Sequence, residues 1–282
     1  MHVGKDGLRR AAAAFGFMVT VWAYPGSSAV AADASDSGWS GDDRSAIRLL
    51  AGSRGSEGFR RAGVEIRLSP GWHTYWRYPG DAGMPPRFDF SRSMNIASVQ
   101  VLWPAPERIP EQGLFVIGYR RDVILPLLLA PANADKPIKL HLQLDYAVCD
   151  KLCVPAQGLA ELELGNGRSE WDAALLAAEG LVPKKRALGQ GQPIEIQSVR
   201  RDRSQVIVDV AAPANARLDL FAEGPNAQWA LPLPKQMGTP SPGVQRFAFD
   251  LEGAPPGTSY EGAVITLTVA GEHPIEVSAP LH

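Results

Sequence analysis

The clearest strand signal in the sequence is the run Ile138-Lys-Leu-His-Leu-Gln-Leu-Asp-Tyr146. Its apolar residues alternate with polar ones, so every second side chain lies on the same face of a strand. A second run with this alternation follows, in which Ala160, Leu162 and Leu164 are separated by glutamates. The two runs predict neighbouring strands of an antiparallel sheet, each with one buried face.

The connection between these two strands holds the only cysteines of the chain, Cys149 and Cys153. A disulfide here would close a ring of about 5 residues and stabilise the fold by only roughly 2 kcal/mol in the chain-entropy model. A pair that contributes so little to stability favours redox chemistry or a soft metal over a structural role. Lys151, between the cysteines, would favour a thiolate, whereas Asp150 would oppose it.

The composition extends the strand prediction to the whole chain. The sequence contains 28 glycines and 24 prolines, and its apolar residues come in short bursts, which is typical of an all-β protein with many turns. Further strands are predicted in both halves, at residues 61–68, 96–103, 122–130, 194–199, 206–210, 216–221, 244–250 and 263–269. We therefore expect an all-β chain with two β-sandwich domains joined by a short helix and a linker.

The order of segments along the chain gives provisional boundaries. Residues 1–32 have the basic start, apolar core and small residues of an export signal, with cleavage expected after Ala31 or Ala32. Residues 33–46 form a flexible leader, 47–166 the first sandwich and 167–192 a helix and linker, with the helix beginning at an N-cap Ser169. Residues 193–282 form a second sandwich, without cysteines, for which a structural or docking role is expected.

Several classes of function have no support in the sequence. The formal net charge is −2, and the basic run Lys184–Arg186 is expected to be a solvated linker, so no nucleic-acid partner is predicted. No nucleophile elbow, phosphate loop, dinucleotide fingerprint or zinc-protease helix is present. No cofactor is predicted.

The histidines differ in their surroundings. His141 lies eight residues before Cys149, about 26 Å away along a continuous strand, and surface exposure is expected for it. His73 lies in the aromatic run Gly71-Trp-His-Thr-Tyr-Trp-Arg-Tyr-Pro79. Ordinary core packing is expected for Trp72 and Trp76. His73 and Tyr75 share a face and are candidates to line a shielded thiol pocket.

Three motifs occur in the order of one known domain: Gly71-Trp-His-Thr-Tyr-Trp, Gly118-Tyr-Arg-Arg-Asp-Val-Ile-Leu-Pro126 and Asp145-Tyr-Ala-Val-Cys-Asp-Lys-Leu-Cys-Val-Pro155. The region from Ile47 to Leu164 resembles the N-terminal periplasmic domain of the thiol:disulfide interchange protein DsbD family. The double-domain layout looks most similar to ScsB-type relatives, which are linked with copper tolerance. The resemblance implies an immunoglobulin-like sandwich in the periplasm that passes reducing equivalents through its cysteine pair.

The resemblance also implies roles for single residues. Cys153 is expected to form mixed disulfides with partner proteins and Cys149 to resolve them. His73 and Tyr75 fall where the family places aromatic residues beside the cysteines, and Tyr146 is expected to shield them as well. The segment Pro110 to Gly118 takes the place of a cap that covers the disulfide, with Phe115 as the expected shielding side chain.

Some features depart from the family pattern. The cysteines are separated by three residues rather than five, and the chain carries neither a membrane reductase nor a thioredoxin-like domain. The expected partners are therefore a separate membrane thiol reductase as electron donor and periplasmic thioredoxin-like or disulfide isomerase-like proteins. Two alternatives stay open: a Cu(I)-binding copper-tolerance protein that uses Cys149 and Cys153, with His73 as a further ligand, and a non-catalytic binding module.

Overall fold

The strand predicted at Ile138 is present, and it continues past Tyr146 to end at Cys149. The computed structural model describes residues 1–2, 4, 35–55, 58–80, 82–165 and 167–282. The predicted signal segment lies outside the described residues, apart from 1–2 and 4. No helix within the described ranges combines the length and apolarity needed to cross a bilayer.

The first half of the described chain contains the strands β1 (Ser40–Gly41), β2 (Ser45–Arg54), β3 (Arg60–Leu68), β4 (His73–Gly80), β5 (Arg87–Asp89), β6 (Ile96–Val101), β7 (Glu107–Glu111), β8 (Leu114–Tyr119), β9 (Val123–Pro131), β10 (Ile138–Cys149) and β11 (Cys153–Leu164). They form one sheet of order β1-β2-β3-β9-β6 and a second of order β11-β10-β4-β8-β7, in which β5 also pairs with β10. The sheets share a core, to which Leu49, Val64 and Leu127 contribute from one side and Leu142 and Leu144 from the other.

The second half begins with the helix α1 (Asp172–Gly180), followed by the strands β12 (Lys184–Arg186), β13 (Glu195–Asp202), β14 (Gln205–Ala211), β15 (Asp219–Glu223), β16 (Lys235–Ser241), β17 (Val244–Asp250), β18 (Val264–Ala270) and β19 (Ile275–Pro280). Their sheets have the orders β12-β19-β18-β15 and β13-β14-β17-β16. A second apolar core, including Val208, Phe247 and Leu267, lies between them. The prediction of an all-β, immunoglobulin-like chain with one short helix is confirmed.

Three local predictions were wrong. The leader is not loose where it is described, because Asp36 bridges to Leu50 and β1 pairs with β2. Ser169 is not the N-cap: the cap is Trp171, whose backbone N–H donates to Ser169 Oγ. The basic run of the expected linker forms β12, which adds to β19 as a parallel strand.

Direct contacts join the two halves of the described chain. Phe221, Leu233 and Ala270 from the second half belong to the apolar core of the first half. On β4, the Arg77 guanidinium lies 2.7 Å from a Glu223 carboxylate oxygen and 2.6 Å from one of Glu276. The strand that carries His73 and Tyr75 is thus held at its other end by the second half.

Candidate functional site

The two cysteines face each other across the turn between β10 and β11. They are register partners, with Cα atoms 4.1 Å apart, and form a disulfide. Their exposure differs: Cys149 is fully buried, whereas Cys153 is exposed at the start of β11. The pair therefore consists of one cysteine at the surface and one inside the protein.

Strand pairing brings the distant aromatic motif to the cysteines. β4 lies beside β10, and His73 is the register partner of Cys149. Tyr75 is two residues further along β4, and side chains two positions apart on a strand share a face. Its hydroxyl lies 2.7 Å from Cys149 Sγ and 3.3 Å from Cys153 Sγ.

The buried sulfur lies in a small apolar cluster. Cys149 packs with Tyr75, Ala147, Ile109 and Val116, separately from the main core. Ile109 and Val116 are paired on the hairpin of β7 and β8, which includes the segment from Pro110 to Gly118 where a cap was expected. The turn of this hairpin is formed by Gln112 and Gly113, both with positive φ, a conformation typical of two-residue hairpin turns.

The hairpin also supplies a carboxylate to the site. One oxygen of Glu111 lies 2.8 Å from His73 Nε2, and the other lies 3.2 Å from Cys153 Sγ. The Tyr75 hydroxyl lies 3.3 Å from Glu111 Oε2. Both members of the His73–Glu111 pair are nearly buried, with side chains 7% and 9% exposed. One carboxylate thus contacts three of the site side chains.

Burial is the main reason that the pKa of Tyr75 is raised above its ordinary value, and the Glu111 carboxylate adds to the shift. Tyr75 therefore keeps its proton at neutral pH and acts as a hydrogen-bond donor. A phenol in this position can stabilise negative charge on a sulfur when the disulfide is opened. A cleft of about 380 Å³, lined by His73, Glu111, Asp150 and Arg120 among others, lies beside the site.

Four of the six expected site residues are brought together, and two are not. Tyr146 lies on the opposite face of β10, in the main core, where its hydroxyl is 2.9 Å from Ser45 Oγ. Phe115 is 45% exposed, and its ring centre lies 5.8 Å from the Arg108 guanidinium. The expectation that Tyr146 faces the cysteines was wrong, because residues three apart on a strand point to opposite sides.

Sequence reasoning missed Glu111, although a signal was present. Glu111 is the only ionisable residue between Pro110 and Gly118, the segment in which a cap was expected. A single charge in a covering segment indicates a polar contact with what it covers. His141 was also misjudged: its side chain is only 13% exposed, and its Nε2 lies 3.0 Å from a carboxylate oxygen of Glu161 on the neighbouring strand.

Comparison with known proteins agrees with this geometry. Residues 47–164 match the family model described as "Thiol:disulfide interchange protein DsbD, N-terminal". The fold is similar to the crystal structure of the N-terminal periplasmic domain of ScsB from Proteus mirabilis, with a TM-score of 0.68 and 20% identity over 88% of this chain and 98% of that chain. No curated protein matches the chain. The region that matches this family model, residues 47–164, contains both cysteines and the side chains around them, and it is similar to DsbD N-terminal domains.

Proposed function

We propose that this chain is a periplasmic thiol–disulfide exchange protein in which Cys149 and Cys153 alternate between dithiol and disulfide. The observation that carries the proposal is the pairing of an exposed cysteine, Cys153, with a fully buried one, Cys149. Exchange needs one thiolate that can reach another protein's disulfide and a second that resolves the mixed disulfide. The family match over residues 47–164 and the periplasmic location of the ScsB domain support this assignment.

The electron transfer can be written step by step from the dithiol form. The Cys153 thiolate attacks one sulfur of the partner's disulfide, and the partner's other sulfur leaves as a thiolate. The Cys149 thiolate then attacks Cys153 Sγ, which forms the Cys149–Cys153 disulfide and releases the partner's second thiolate. Two electrons pass to the partner, whose two thiolates take up protons. Recharging is the reverse exchange with a reduced donor.

The neighbouring side chains have distinct parts in this scheme. Tyr75 lies within hydrogen-bond distance of both sulfurs and can donate to whichever is negative. Glu111 lies on the approach to Cys153 and must move when a partner docks. We propose that the hairpin of β7 and β8 is the cap of the site, with Glu111 in the position for which Phe115 was expected.

We propose two kinds of partner. Electrons would come from a separate membrane thiol reductase and would pass to periplasmic thioredoxin-like or disulfide isomerase-like proteins. Both expectations rest on the family resemblance. Cys153 offers each of them an exposed cysteine at the start of β11.

Mixed-disulfide trapping with oxidised glutathione tests the proposal and the roles of the two sulfurs. Reduced Cys149→Ser protein retains Cys153 alone, and reduced Cys153→Ser protein retains Cys149 alone. We expect the Cys149→Ser protein to form the glutathione adduct at least about 10 times faster, because thiol reactivity depends on access. Mass spectrometry of alkylated samples gives both rates.

The outcomes of this experiment separate the hypotheses. Faster adduct formation by the Cys153→Ser protein would reverse the role assignment. Absence of adducts in both variants, with circular dichroism unchanged from the wild type, would contradict exchange and favour a non-catalytic binding module. Folding of the variants is expected, because the small disulfide ring contributes only roughly 2 kcal/mol.

A further inference from the structure

Four potential metal ligands meet at the disulfide. The ligand atoms of His73, Glu111 and Cys149 all lie within 4.8 Å of one another. Cys153 Sγ is 3.2 Å from Glu111 Oε1, so the second sulfur borders the same group. Two sulfurs, one imidazole nitrogen and one carboxylate oxygen thus converge from three strands and a hairpin.

We propose that the dithiol form binds one zinc ion through Cys149, Cys153, His73 and Glu111. The inference rests on the proposed function in one respect, namely that the cysteine pair is reduced during its cycle. In the disulfide form both sulfurs are bonded to each other, and only thiolates are strong metal ligands. The site therefore exists in one redox state and is absent in the other.

The types and spacing of the ligands favour zinc. Zinc takes four ligands from cysteine, histidine and carboxylate side chains in a tetrahedron, with bonds of about 2.0–2.3 Å. A tetrahedron with such bonds places its ligand atoms roughly 3.3–3.8 Å apart. His73 Nε2 lies 2.8 Å from Glu111 Oε2, and Cys153 Sγ lies 3.2 Å from Glu111 Oε1. A small rotation of the carboxylate is therefore enough for one of its oxygens to join the other three ligands. Reduction breaks the bond between the two sulfurs, which frees both of them to bind an ion.

Cu(I) is a weaker match to the full set of ligands. Thiolates alone satisfy Cu(I), whereas a carboxylate is a hard ligand that suits other ions. A Cu(I) site would leave Glu111 without a role in binding. The contribution of Glu111 therefore discriminates between the two metals.

The surroundings meet two further requirements of a metal site. Metal ligands are usually oriented by a second layer of hydrogen bonds, and the Tyr75 hydroxyl lies 3.3 Å from Glu111 Oε2 and 2.7 Å from Cys149 Sγ. The cleft of about 380 Å³ lined by His73 and Glu111 gives an ion a path from solvent. Binding of zinc displaces the two thiol protons, so the overall change is one Zn²⁺ bound and up to two H⁺ released.

Zinc binding would regulate exchange. A ligand that binds only the dithiol stabilises it, about 100-fold when free zinc is at 100 times its dissociation constant. For a two-electron couple this factor corresponds to a potential about 59 mV higher. Electrons would be withheld from disulfide partners while zinc is bound, and the thiolates would be protected from oxidation.

Zinc titration of the wild-type protein in both redox states is the first test. The protein is reduced chemically and freed of reductant under anaerobic conditions, and zinc chloride is added in competition with a chromogenic chelator. We expect one zinc per dithiol chain and at least about 100-fold weaker binding by the disulfide form. Equal binding by the two forms, or none by the dithiol, would overturn the inference. Because both samples are the same chain, no variant needs to fold.

Two ligand variants and a matched control test the identity of the site. His73→Gln and Glu111→Gln are each expected to weaken zinc binding at least about 10-fold. The control is His141→Gln, which removes a histidine that is paired with Glu161 in the same sheet but lies away from the cysteines. Its zinc affinity should match the wild type. If His73→Gln and Glu111→Gln also match, the cysteines bind alone and the four-ligand site is wrong.

Parallel measurements separate this inference from the proposed function. Cobalt(II) in place of zinc should show the absorption of a tetrahedral thiolate site in the dithiol wild type, and a weakened one in Glu111→Gln. The affinity for Cu(I), measured by competition, should be the same for Glu111→Gln as for the wild type. Normal glutathione exchange without zinc binding would refute the zinc site and leave the carrier role intact. Zinc binding without exchange would refute the carrier role and leave a metal-binding protein.

Discussion

At the scale of single residues, Glu111 connects the parts of the site. Its carboxylate contacts His73, Tyr75 and Cys153, and its side chain is nearly buried. A negative charge there repels an incoming thiolate. Two unit charges about 6 Å apart in water repel by roughly 0.7 kcal/mol, a factor of about 3 in rate.

We therefore predict that Glu111→Ala accelerates reduction of the disulfide by dithiothreitol at least about 3-fold at low ionic strength. The side chain that contacts Cys153 is removed together with its charge. The difference in rate between Glu111→Ala and the wild type should shrink as salt is added, because salt screens the repulsion. Stopped-flow kinetics at two salt concentrations measure both effects.

The matched control is Glu107→Ala on the same strand, β7, whose carboxylate lies 3.8 Å from exposed Arg121. It should leave the rate unchanged. Equal rates for Glu111→Ala and the wild type would show that Glu111 does not guard Cys153.

Residue-scale prediction from the sequence succeeded where strand geometry was local. Alternation along β10 and β4 was enough to place His73 and Tyr75 on one face, and the cysteines in one turn. The same alternation excludes Tyr146, which is three residues before Cys149. Glu111 is marked only as the single ionisable residue of 110–118. Which atoms it contacts, and where Phe115 lies, depend on how the hairpin folds over the disulfide.

At the scale of elements, the pairing of β4 with β8 positions the cap. Gly118 on β8 lies opposite Tyr75, and a Cβ atom at Gly118 would lie 2.0 Å from the Thr74 carbonyl oxygen. Any larger residue must push the two strands apart at the point where the hairpin joins the site.

We predict that Gly118→Ala destabilises the protein by about 2 kcal/mol, as overpacking between fixed backbones does. Urea unfolding followed by tryptophan fluorescence gives the change. Gly180→Ala at the end of α1 is the control, since an added Cβ there meets no atom within 4 Å. A change of less than about 0.5 kcal/mol for Gly118→Ala would contradict the close approach.

Some strands were not predicted from the sequence, and the strength of their sequence signals differs. In β19, Ile275, Val277 and Ala279 are buried and alternate with exposed or half-buried residues, so its signal was present. β16 is exposed throughout and contains glycine and proline, so no alternation marks it. β12 is three basic residues and exists only because β19 provides a partner edge. Whether such strands form depends on pairing with strands elsewhere in the fold, which their own sequence does not show.

At the scale of the whole molecule, the second half of the described chain braces the site strand. Arg77 is two residues after Tyr75 on β4 and pairs with both Glu223 and Glu276. Arg108 at the base of the hairpin pairs with Asp219 at 2.7 Å. We propose that this bracing is the role of the second sandwich, whose boundaries at 193–282 stay a prediction.

Removing Arg77 should therefore affect the whole fold. Arg77→Ala leaves two carboxylates that are only 19% and 14% exposed without this partner. We expect a loss of about 2–3 kcal/mol in the free energy of unfolding, less than for a fully buried pair because water still reaches the group. Arg121→Ala, at an 88% exposed position, is the control and should change stability by no more than about 0.5 kcal/mol. Equal effects of the two substitutions would refute the bracing role.

If the cysteine pair carries electrons rather than stabilising the fold, its reduction potential must lie in the range of exchanging disulfides. Equilibrium titration of zinc-free protein against a thiol–disulfide buffer, quenched by alkylation, gives the value. We predict a potential above about −250 mV, within the range of proteins that exchange disulfides. A potential below about −300 mV would mark a disulfide that resists reduction, and it would contradict the proposed function.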